Sequence, residues 1–87
     1  MIALRSLDIR KREGLVREIL ADNGIPMTDR QIAYAMALRL GLPPDPNLAR
    51  PRITGMIQAG VLREDENVRD PTTQKRVRTV VLVEEAA

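Results

Sequence analysis

The sequence contains no cysteine, no histidine, no phenylalanine and no tryptophan, and its one aromatic residue is Tyr34. Without cysteine there are no disulfides and no thiolate metal sites. Without histidine the commonest general base and the commonest transition-metal ligand are both missing. Zinc and haem sites of the usual kinds and a hydrolytic triad are therefore excluded, and neither a metal nor a cofactor is expected. Only carboxylates remain for acid–base work. The acidic clusters at Glu64–Glu66 and Glu84–Glu85 fall on segments that read as flexible, with no pocket to perturb a pKa, so an enzyme is not expected. With so few aromatics the core must be aliphatic, each large side chain contributing about 1.5–3 kcal/mol on full burial. Apolar runs stay far below the ~20 residues of a membrane span, and the N-terminus lacks the apolar stretch and small-residue cleavage site of a signal peptide. These absences predict a cytoplasmic protein with no membrane partner and no evident small-molecule site.

What is present fits one small domain over residues 1–87, with a core over about 8–83. Hydrophobic residues make up 44% of the chain, ordinary for a folded protein, and the formal net charge is only +2. Twelve of the fourteen basic residues are arginine, the side chain whose planar fork matches phosphate and guanine. A composition bias toward arginine explains that equally well. The run Arg10–Arg12 reads as the solvated face of a helix.

Three helices and a hairpin follow from the patterning. Leu15, Val16, Ile19 and Leu20 recur at helical spacing, extended by Ile9. Ser6 or Asp8 is the expected cap, and Asn23-Gly24 the expected stop. Thr28-Asp29-Arg30-Gln31 carries the capping-box pattern, and Ile32, Ala33, Met36, Ala37 and Leu40 form the stripe of a second helix ending at Gly41. The segment "GLPPDPN" is a stiff turn. A third helix starts at Asn47–Leu48, with Ala49, Ile53, Met56 and Ala59 on its apolar face and Gly60 as its stop. Pro51 sits in its first turn, where the missing N–H costs little. Val61-Leu62 and "VRTVVLVEE" are strands, joined by a charged tip with a turn at Asp70-Pro71.

"GIPMTDRQIAYAM", "NLARPRITGMIQAGVLRE" and "RDPTTQKRVRTVVLV", in that order, resemble the small winged helix-turn-helix proteins of phages and prophages, which share the layout of the multiple-antibiotic-resistance regulator group. The resemblance covers roughly residues 15–83. Two departures stand out: helix two runs longer before the third helix, and Gln74 stands where the wing usually carries glycine. The resemblance implies a mainly α fold, three helices plus a two-stranded wing, and sequence-specific binding of double-stranded DNA by a transcription regulator.

In such a motif the N-terminal end of the third helix reaches base edges in the major groove. The candidates there are Asn47, Arg50, Arg52 and Thr54, since asparagine suits adenine and arginine suits guanine. Thr28 and Arg30, opening helix two, are candidates for backbone phosphates. Arg69, Lys75, Arg76 and Arg78 on the wing are candidates for flanking phosphates, although Glu64, Asp65, Glu66 and Asp70 share that hairpin and oppose DNA unless they face away or pair with the arginines. A homodimer through helix one and the chain ends is expected, because two half-sites multiply a weak single contact. The alternative is a winged-helix protein-interaction module with no DNA binding of its own.

Overall fold

A computed structural model describes the backbone of residues 2–83 and the side chains of residues 10–83. The second helix, α2 (Asp29–Leu40), forms as its sequence dictates. The Gln31 N–H donates to the Thr28 hydroxyl at 3.1 Å, and the Thr28 N–H donates back to Gln31 Oε1 at 2.9 Å. This reciprocal pair satisfies two amides that a helix start otherwise leaves open. Gly41, in the left-handed region at φ 69°, ends the helix.

Helix α1 (Ile2–Asn23) starts earlier than its sequence suggests, running through both Ser6 and Asp8. Serine and aspartate cap helices well but cost only tenths of a kcal/mol inside them, and the surrounding Ile, Ala, Leu and Arg favour continuation. The charges on Glu84-Glu85 lie outside the described residues, as do the side chain of Ile9 and the chain ends expected to help form a dimer.

The proline segment resolves into two pieces. Asp45 caps a short 3-10 turn over Pro46–Leu48, its carboxylate accepting the Asn47 N–H at 2.9 Å. Helix α3 (Arg50–Gln58) then begins with Ala49 as its cap, one to two residues later than Asn47–Leu48. The Asp45 side chain takes the capping role a turn too early for α3, and the Ala49 N–H is satisfied by Pro46 O at 3.3 Å. Arg50 is the first helical residue and Pro51 the second, so the absent proline N–H had no partner to lose. Ala59 is exposed rather than part of the apolar face.

The strands make more than a two-stranded ribbon. Strands β1 (Met27–Thr28), β2 (Leu62–Glu64) and β5 (Thr79–Leu82) form an antiparallel sheet in the order β1-β5-β2. Strands β3 (Val68–Arg69) and β4 (Arg76–Val77) form a separate two-stranded tip. Glu64 lies opposite Val80 and Val68 opposite Val77. Between those pairs the outgoing strand holds residues 65–67 and the returning strand only Arg78 and Thr79. The extra residue is a β-bulge, which bends the hairpin and raises its twist. The buried Thr79 satisfies its hydroxyl on Glu66 O at 2.6 Å.

The core lies between the three helices and the sheet. Val16, Ile19 and Leu20 come from α1, Ile32, Ala33 and Met36 from α2, Ala49, Ile53 and Met56 from the third-helix region, and Met27, Leu62 and Val80 from the sheet. It is aliphatic throughout. Among the described residues no helix is long and apolar enough to cross a membrane.

Candidate nucleic-acid interface

The N-terminal ends of α2 and α3 and the hairpin tip converge on one cleft of about 310 Å³, lined by Thr28, Asp29, Arg30, Arg50, Asp70, Thr73, Lys75, Arg76, Val77 and Arg78. Five of these are cations and two are carboxylates. Both carboxylates are engaged. Asp29 holds Arg78 through a forked contact, Nε to Oδ1 at 3.2 Å and Nη2 to Oδ2 at 3.0 Å. Asp70, buried at the hairpin turn, accepts the Thr72 N–H at 2.8 Å and pairs with Arg30 Nε at 3.4 Å.

Arg78 sits opposite the bulge, between β4 and β5, and ties that strand to three other elements. Besides Asp29 on α2 it reaches Glu64 Oε1 on β2 at 3.3 Å and donates to the Thr54 hydroxyl on α3 at 3.1 Å. The hydrogen bond to Asp29 raises the Arg78 pKa above its ordinary value; burial opposes this, and the charges of Asp29 and Glu64 add to it. With its carboxylate partners ionised, the charged guanidinium stabilises the fold below arginine's ordinary pKa, and that contribution is lost as alkali removes the proton. Arg78 and Thr54 thus serve each other inside the protein.

The other candidate residues separate by position. Arg50 opens α3 and faces the cleft, while Arg52 is half-buried and outside it. Asn47 is exposed on the 3-10 turn ahead of α3 and does not line the cleft. Thr28 caps α2 at the cleft floor. Arg69 and Arg76 lie directly opposite each other on β3 and β4. Like charges in that relation repel, and among the described residues neither has an acidic partner, nor do Arg50, Arg52 and Lys75.

The tip turn shows what Gln74 does in place of glycine. It adopts φ 62°, its N–H donates to Asp70 O at 2.8 Å, and its side-chain amide reaches Pro71 O at 3.1 Å. The hydrogen bonds hold a left-handed residue that costs about 1–2 kcal/mol outside glycine.

The sequence leaves open whether the hairpin carboxylates oppose a polyanion, face away or pair with the arginines. In the structure Glu64 and Asp70 are consumed by arginines, and Asp29, which no motif singled out for a role, anchors the most connected of them. The Asp70-Pro71-Thr72 turn was a readable signal that Asp70 caps its own loop. Nothing local could show that Asp29 meets Arg78, 49 residues away. A larger groove of about 600 Å³, between the end of α1 and β5, carries a single charged side chain, Arg63. Compared with known proteins, the chain matches no protein-family model, no curated protein and no solved structure.

Proposed function

We propose that the chain binds double-stranded DNA as a winged helix-turn-helix transcription regulator of phage or prophage type, with α3 as the recognition helix and the hairpin as the wing. The observation that carries this reading is the cleft whose carboxylates are neutralised from within while, among the described residues, Arg50, Lys75 and Arg76 have no acidic partners. Basic side chains converging on a concave surface raise the local potential and draw in polyanions. The facing Arg69 and Arg76 gain from a phosphate that relieves their repulsion. The reading needs no cofactor and no catalysis. It includes a homodimer, since one nine-residue helix reads few bases and paired half-sites multiply affinity.

A second reading, a protein-interaction module, draws on Tyr34 and Leu38. They stand one turn apart on α2 at 53% and 70% exposure, an apolar pair that the fold leaves uncovered.

Salt separates the two readings. Titrating a fluorescent random-sequence duplex at about 50 and about 200 mM salt should show affinity falling steeply for the parent chain. Replacing Arg50→Ala/Arg76→Ala should lower the salt slope by about two, roughly one for each lost phosphate contact. Absence of binding at the lower salt rejects DNA recognition and leaves the interaction module.

A further inference from the structure

An α-helix turns about 100° per residue. With Ala49, Ile53 and Met56 facing the core, Pro51 and Gln58 fall on the opposite side of α3, flanked by Thr54 and Gly55. Pro51, Thr54 and Gln58 are exposed. Arg50 lies on the Thr54 flank, toward the cleft, and Arg52 on the Gly55 flank.

Gly55 is the unexplained member of this ridge. It is not among the glycines with positive φ, and a Cβ placed there would meet nothing within 4 Å. The fold therefore does not need glycine, which weakens a helix interior relative to alanine. A bare backbone at a half-buried helical position turned away from the core is accounted for when another molecule comes close to it. The polar inventory of the ridge is equally narrow. Pro51 and Gly55 offer no hydrogen-bonding side chain, and the Thr54 hydroxyl is taken by Arg78. Gln58 alone presents a donor and an acceptor together, and among the described residues its amide has no partner. That pair matches the N6 and N7 positions of adenine in the major groove.

We propose that α3 meets the duplex along the ridge Pro51–Gly55–Gln58, with Gly55 at the closest approach and Gln58 reading an adenine. This rests on the DNA-binding reading above. It makes Gln58, the last residue of α3, the specificity-determining side chain, with Arg50 and Arg52 on either side of Pro51 at the other end of the ridge.

The test is selection from a randomised duplex library by the parent chain and by Gln58→Ala, followed by affinity measurement on the parent's selected site. The variant should become indifferent at one adenine position and lose about tenfold in affinity, with an unchanged salt slope. Gly55→Ala should raise the melting temperature yet weaken binding several-fold, and Gly55→Leu should weaken it further. Gly14→Ala, at the other helical glycine with open space around it, calibrates the thermal gain. Selection of the same site by Gln58→Ala, or parent-like binding by Gly55→Leu, overturns the ridge while steep salt-dependent binding by the parent preserves DNA recognition. A parent that enriches no duplex and binds none at low salt ends both.

Discussion

The molecule contains two clusters with the same ingredients, one arginine and two carboxylates, in opposite settings. On the helix side Arg39 bridges α2 to α1, meeting Asp22 at 3.0 Å and Glu18 at 3.5 Å, but both acids are about 70% exposed. On the hairpin side Arg78 meets Asp29 and Glu64, and the Asp29 side chain is only 14% exposed. Distances alone do not separate the two. Solvent does: an exposed pair gains little Coulomb energy and loses side-chain freedom, whereas a half-buried forked pair, once formed, is costly to break from one side. The first cluster decorates a helix interface that apolar packing already holds. The second ties α2, α3 and β2 to the returning strand of the hairpin through one guanidinium.

The sharpest way to break this contrast is Asp29→Ala, which leaves the Arg78 guanidinium sheltered without its main partner. Stability should fall by about 2–3 kcal/mol, read from the urea midpoint. A loss no greater than that of an exposed pair would refute the distinction. Gln74→Gly tests whether the hairpin tip adds its own strain to the cluster's work. Relieving the left-handed glutamine against the greater freedom of glycine and the loss of the amide bond to Pro71 should leave a net gain of about 0.5 kcal/mol. A loss of stability would mean the amide bond outweighs the backbone cost. Smallest of all, Arg39→Ala should cost less than about 0.5 kcal/mol, and that cost should vanish in 1 M salt, where the screening length is about 3 Å.

The same contrast explains which parts of the protein were legible in its sequence. α2 was readable end to end because every determinant is local: Thr28 and Gln31 three residues apart, an apolar stripe, and Gly41. The start of α3 was displaced because Asp45 diverts the Asn47 N–H into a separate turn. β1 went unread because two residues carry no periodicity and their partners, Thr79 and Val80, lie some fifty positions on. In the candidate interface the cations were legible by type and rough position. Their sorting was not. Arg78 and Arg76 are two residues apart and chemically alike, yet one is tied to Asp29, Glu64 and Thr54 while the other has no acidic partner among the described residues. Arg78 lies opposite the one-residue bulge and Arg76 does not, a difference of strand register that no local pattern carries.

Pro51 carries one more consequence, for how this protein can vary. Were the 3-10 turn and α3 to merge into one helix, the Pro51 ring would collide with the Asn47 carbonyl four residues back. The boundary at Ala49 is therefore enforced from inside α3 itself. Residues added beside the exposed Pro43–Pro44 pair, between the Leu42 amide that closes α2 and the Asp45 cap, change the length of the tether without rotating the helix that follows it. The third helix keeps its angular phase against the core, and so keeps the same residues facing outward, while the loop ahead of it is free to drift in length.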